Sequence, residues 1–147
     1  MRLVIQRVSE ASVSVINKKK VVGEIGKGLF ILVGVKRGDT EVQAKCLADK
    51  LLKLRVMSDA KDKMNVNITD AKGEILLVSQ FTLHADTESG NRPSFLEAAP
   101  SEEAKKLYEY FVEVIQQSGV PVQTGSFGEY MKIDAVMDGP VTILLEK

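Results

Sequence analysis

Ile75-Leu76-Leu77-Val78-Ser79-Gln80-Phe81-Thr82-Leu83 begins as a buried strand and stops being one halfway. Four aliphatic residues in a row, entered from the turn signal Asp70-Ala71-Lys72-Gly73, read as a core strand. Ser79 and Gln80 interrupt it, Phe81 and Leu83 return to apolar, and the chain then breaks into a polar loop closed by Asn91-Arg92-Pro93. Polar groups at the end of a buried strand must be paired or used. The residues alone allow two readings: Ser79 and Gln80 satisfy strand-end backbone groups, or they open a site.

Upstream, strands dominate. Leu3, Ile5 and the Val8 region form one, Ala11 to Ile16 another, and Val21 to Ile25 a third after the turn at Asn17-Lys18-Lys19-Lys20. Gly26-Lys27-Gly28 punctuates, and Leu29 to Val33 is again a buried strand. Thr40 and Gln43 stand at capping-box spacing. Beyond them Ala44, Leu47, Ala48, Leu51 and Leu54 recur at helical spacing, with Glu41, Lys45, Asp49 and Lys53 opposite. Cys46 lies close to that apolar stripe and reads as a small buried filler rather than a nucleophile.

Downstream, Met64 to Ile68 makes a short segment, and Ser101 with Glu102 and Glu103 starts a second helix. Its stripe is Ala104, Leu107, Tyr108, Phe111, Val114 and Ile115, and Gly119 and Pro121 stop it. Two late strands, Tyr130 to Met137 and Val141 to Leu145, join at Asp138-Gly139-Pro140. About eight strands, mostly adjacent in sequence, and two helices predict an α+β fold. The expected form is a strongly curved antiparallel β-sheet or open barrel with two packed helices, in one domain.

The totals agree. A chain of 147 residues suits one domain and buries roughly 70% of its unfolded surface without disulfides. No apolar run approaches the length of a membrane span, and charge breaks Met1 to Val8 too early for a signal peptide. One cysteine favours a cytoplasmic address. Twenty basic and twenty acidic residues leave no net charge. Proteins that wrap nucleic acid carry a basic face, so any such contact here should involve few phosphates. Lys18-Lys19-Lys20 reads as a solvated hairpin turn.

Several chemistries lack their parts. One histidine and one cysteine do not supply the usual zinc ligand set, and no cofactor or metal is expected. No Gly-x-x-x-x-Gly-Lys loop is present. Ser79, His84 and Asp86 could be written as a triad, but no nucleophile elbow surrounds Ser79, and residues 79 and 84 of a strand face opposite ways. His84 reads as a polar loop residue. Gly139-Pro140 reads as a turn in which glycine keeps a tight or cis bond sterically cheap.

Five stretches taken in order carry more. Ile5-Gln6-Arg7-Val8, Val78-Ser79-Gln80-Phe81-Thr82-Leu83, Asn91-Arg92-Pro93-Ser94-Phe95, Thr124-Gly125-Ser126-Phe127-Gly128 and Asp138-Gly139-Pro140-Val141-Thr142 resemble the D-aminoacyl-tRNA deacylase family in its bacterial and eukaryotic form. The likeness covers the whole chain. It implies a homodimer that cleaves the ester between a D-amino acid, or glycine, and the 3′ end of tRNA. Ser79 and Gln80 would sit beside the ester, and the backbone at Phe81 and Thr82 would stabilise the oxyanion. Gly139 and Pro140, joined by a cis bond, would enter the neighbouring subunit's site and exclude L side chains, oriented by Arg7. Phe127 and Met131 would line an adenine pocket. Thr82 would position rather than attack, since a threonine hydroxyl needs an adjacent base and none is evident; the ribose 2′-hydroxyl would assist water instead. A non-catalytic dimeric module that binds RNA ends is the alternative.

Overall fold

A computed structural model describes residues 1–147. The longest elements are β1 (Arg2–Val15) and β8 (Met131–Glu146), antiparallel partners along nearly their full length. β1's other edge is shared: its first half pairs with β3 (Gly28–Gly34) and its second half with β2 (Lys20–Ile25). The two segments read from sequence as separate strands are thus one, bent where it changes partner. β6 (Glu74–Ser79) and β7 (Val122–Thr124) extend the sheet to the order β2-β1-β3-β6-β7. A short hairpin of β4 (Met57–Ser58) and β5 (Met64–Val66) stands apart.

The sheet is curved as expected but mixed. β3–β6 and β6–β7 run parallel, because each of those steps is spanned by a helix: α1 (Glu41–Lys53) and α2 (Ser101–Gln116). Adjacency in sequence had suggested antiparallel pairing throughout. Curvature nearly closes the barrel, and a Cβ on Gly23 of β2 would lie 2.8 Å from the Thr124 carbonyl of β7.

Two cores explain why β3 and β6 are apolar on both faces. Leu29, Ile31, Val33, Ile75 and Leu77 point to the helices, where they meet Leu47, Leu51, Leu107 and Phe111. Phe30, Leu76 and Val78 point into the barrel against Val8, Ala11, Val13 and Ile25. The α1 capping box forms, with Thr40 accepting from the Val42 amide and Gln43 from the Thr40 amide.

Two local expectations fail. Cys46 is exposed, because the α1 stripe runs through Ala44, Leu47, Ala48 and Leu51 and leaves residue 46 one position off it. His84 is buried, because Phe81–His84 forms a 3-10 turn that rotates its ring against Gly34.

The two late strands are continuous, with an irregularity. Gln6 pairs with Thr142 and Val8 with Met137, so residues 138–141 all stand opposite Arg7. The surplus bulges outward as a corner over that side chain. The Gly139-Pro140 bond within it is cis.

Candidate active site

A cleft of about 760 Å³ opens where β6 ends, and Ser79, Gln80 and Phe81 line it. The Gln80 amide is the last of this segment held by the sheet, donating to the Val33 carbonyl at 2.8 Å. The chain then enters the 3-10 turn, whose first internal bond runs from the Leu83 amide to the Gln80 carbonyl. The amides of Phe81 and Thr82 precede that bond and have no acceptor inside the turn. Gln80 Nε2 donates to the Thr82 hydroxyl, fixing both side chains.

The opposite wall comes from the segment after β7. Phe127 and Met131 line the cleft. The Ser126 amide approaches Met131 Sδ at 3.3 Å, and a Cβ on Gly125 would come within 2.9 Å of the same sulfur. Gly125 therefore lets the loop wrap the methionine. The floor is aliphatic and small: Val33, Val35, Val78, Ala98, Ala99 and Ala104.

Tyr108 completes the floor, and sequence reading had placed it only in a core stripe. Its ring lies 5.9 Å from that of Phe127, and its hydroxyl donates to the Leu77 carbonyl at 2.9 Å. A tyrosine within an aliphatic stripe was the available signal, since a buried hydroxyl needs a partner. Burial pushes its pKa well above the ordinary phenol value, so it stays protonated. At the rim, Phe81 packs edge-on against Phe95 with ring centroids 5.1 Å apart, and Tyr130 is 73% exposed.

Neither Thr82, Arg7, Gly139 nor Pro140 lines this cleft. Thr82 sits beside it, exposed. The other three form a second cluster around the bulge. Arg7 is buried and donates to the carbonyls of Val56 (2.9 Å) and Asp138 (3.2 Å), while Gly139 and Pro140 face outward. His84 does not line the cleft either, so no Ser-His-Asp arrangement forms there.

The model of the family described as D-Tyr-tRNA(Tyr) deacylase matches residues 4–146. This chain belongs to that family. A D-aminoacyl-tRNA deacylase of Thermosipho melanesiensis is 52% identical, over 99% of this chain and 97% of its own. One from Roseiflexus castenholzii is 53% identical, over 99% and 92%. Among solved structures, the c-Myc DNA Unwinding Element Binding Protein superposes with a TM-score of 0.93 at 39% identity, over 100% of this chain and 99% of that one. A "probable eukaryotic D-amino acid tRNA deacylase" superposes at 0.81 with 17% identity, over 98% and 97%, a likeness of fold.

Proposed function

We propose that this chain hydrolyses the ester joining a D-amino acid, or glycine, to the terminal adenosine of tRNA, and that it does so as a homodimer. One observation carries the reading: the family's Ser79-Gln80-Phe81-Thr82 segment ends a buried strand at the lip of a largely apolar cleft, where the Thr82 hydroxyl is partnered by the Gln80 amide and the one lining carboxylate, Glu129, is paired with Lys18.

An aminoacyl ester is already activated, so attack by water needs placement and a home for the developing oxyanion. The amides of Phe81 and Thr82 are suited to that, and losing one such donor typically costs about 10²–10³ in rate. Ser79 and Gln80 flank the ester, Phe127 and Met131 receive the adenine, and the ribose 2′-hydroxyl assists the water. No cofactor is invoked.

Handedness must be judged on substituents that every substrate shares, because side-chain contacts alone discriminate by only about 1–3 kcal/mol. Gly139 and Pro140 are suited to this from a second copy. They lie outside their own chain's cleft on the outward corner of β8, which pairs with β1 alone and exposes Val136, Met137 and Leu144. A dimer that covers β8 would bring one copy's corner toward the other's cleft.

Incubation with D-Tyr-tRNA and L-Tyr-tRNA tests the reading. Rapid loss of the D ester alone is expected, with a dimer in solution. Loss of neither ester would instead favour the alternative, a non-catalytic dimeric module binding RNA ends; the similar c-Myc DNA Unwinding Element Binding Protein is named for nucleic-acid binding.

A further inference from the structure

The run Lys18-Lys19-Lys20 is tied to one wall of the cleft. Val15 pairs with Met131, the Ile16 amide donates to the Tyr130 carbonyl at 3.1 Å, and Lys18 Nζ donates to Glu129 Oε1 at 2.7 Å. Three successive links therefore bind this turn to residues 129–131, which themselves line the cleft. Lys19 holds the left-handed conformation at φ 47° that reverses the chain. Lys19 and Lys20 are exposed, and neither has a carboxylate within ion-pair distance. Tyr130, whose main-chain carbonyl takes the Ile16 amide, has an exposed side chain.

Solvated lysines are the usual content of a hairpin turn, and by themselves they would mean nothing. Their placement is what matters. Unpaired lysines on a turn tied to the wall of a cleft, with an exposed aromatic side chain on that same wall, are the ingredients with which proteins hold single-stranded RNA. Phosphates meet the charges, and an unpaired base stacks on the ring.

We propose that Lys19, Lys20 and Tyr130 receive the single-stranded RNA leading into the cleft, the lysines on the phosphates just before the terminal nucleotide and the ring beneath an unpaired base. This rests on the reading that the cleft takes the aminoacylated 3′ end of tRNA. Lys18 is a positioning residue: its ion pair anchors the turn and neutralises Glu129, whose carboxylate would otherwise repel the incoming phosphates. A contact of so few charges suits a chain with no net charge and does not depend on RNA sequence.

The probe is tRNA carrying D-tyrosine through an uncleavable amide, titrated onto the protein at several salt concentrations. Hydrolysis of D-Tyr-tRNA and of adenosine esterified with D-tyrosine is followed in parallel. Lys19→Ala/Lys20→Ala should weaken tRNA binding about tenfold at low salt. It should also flatten the log–log salt dependence by about 1.4, at about 0.7 per contact on a single strand. Cleavage of the adenosine ester should be unchanged. Lys27→Ala removes a like charge beyond the other end of β2 and should change neither by more than about twofold. Unaltered affinity and slope in the double variant would overturn the proposal, as would an equal effect from Lys27→Ala. Wild-type protein that binds with a lysine-dependent slope but cleaves neither ester would sink the deacylase reading and leave this one standing. Cleavage of both with a lysine-independent slope would do the reverse.

Discussion

Arg7 holds Asp138 twice over: Nε donates to the main-chain carbonyl at 3.2 Å and lies 3.1 Å from a carboxylate oxygen. From its other end Nη1 reaches the Val56 carbonyl at 2.9 Å and the Ser58 hydroxyl at 3.3 Å. One buried guanidinium thus joins β1, the residues around β4, and the bulge of β8. Its planar fork fixes directions that a flexible ammonium would not.

Truncating that fork should therefore loosen the corner. Arg7→Ala leaves the Val56 carbonyl without its partner and should cost about 1–3 kcal/mol of stability. The exposed half of the Asp138 pair adds little, since solvent screens it. Arg7→Lys should lie between the two. Urea unfolding measures this, and a wild-type midpoint in Arg7→Ala would show that the corner is held by something else. On the proposed mechanism, both variants should lose D-over-L selectivity before they lose turnover of the D ester.

Gly139 sits at φ +127°, and a Cβ there would meet Val141 Cγ2 at 2.9 Å and Arg7 Nη2 at 3.2 Å. Gly139→Ala should cost about 1–3 kcal/mol in strain and displace the guanidinium or the corner. Chiral selectivity, measured as the ratio of kcat/KM for D-Tyr-tRNA and L-Tyr-tRNA, should fall. A folded dimeric variant with the wild-type ratio would remove Gly139 from the account of handedness.

These two positions also mark how far sequence carries. Apolar runs and helix stripes are local signals, so the strands around Leu29–Val33 and Ile75–Val78, both helices and the Thr40 cap were all legible. The parallel steps were not, because direction is set by which faces the helices cover, a non-local matter. The fate of Arg7 depended on four β8 residues accumulating opposite it, which no pattern in either strand announces. Cys46 and His84 were misread for a related reason: a displacement of one helical position, and a 3-10 turn replacing a strand, each reverse a side chain's exposure. Of the proposed site, Ser79-Gln80 showed itself as a polar break. Tyr108 hid within a stripe whose spacing it obeyed.

Thr82 is the side chain most easily mistaken for a nucleophile. It is exposed, accepts from Gln80 Nε2, and has no titratable group among its hydrogen-bond partners. Thr82→Val removes the hydroxyl and keeps the shape. If the backbone amides and the substrate's own hydroxyl do the chemistry, kcat should fall by no more than about tenfold, well short of the loss of an oxyanion donor. Complete loss of turnover at saturation, together with a covalent adduct trapped on wild-type Thr82, would reverse the assignment.

His84 should set an acid limit on stability without touching catalysis. Its ring is buried, with Nε2 lacking a hydrogen-bond partner, and it faces the Arg2 guanidinium, the Met1 ammonium and the carboxylates of Asp39 and Glu146. Burial lowers its pKa below the ordinary 6.5, the Gly34 main chain opposes that, the Arg2 and Met1 charges lower it further, and Asp39 again opposes them. Below about pH 6.5 the unfolded chain takes up a proton that the folded chain refuses, so unfolding becomes easier as pH falls toward the folded pKa. Above pH 6.5 both states hold a neutral imidazole and the contribution is constant. Urea unfolding at pH 7.5 and 5.5 should therefore show a larger acid loss in wild type than in His84→Gln, which cannot titrate. Because the ring lies outside the cleft, ester hydrolysis at pH 7.5 should be the same in both. Equal acid losses in the two proteins would mean that the carboxylates around the ring, not the imidazole, govern this window.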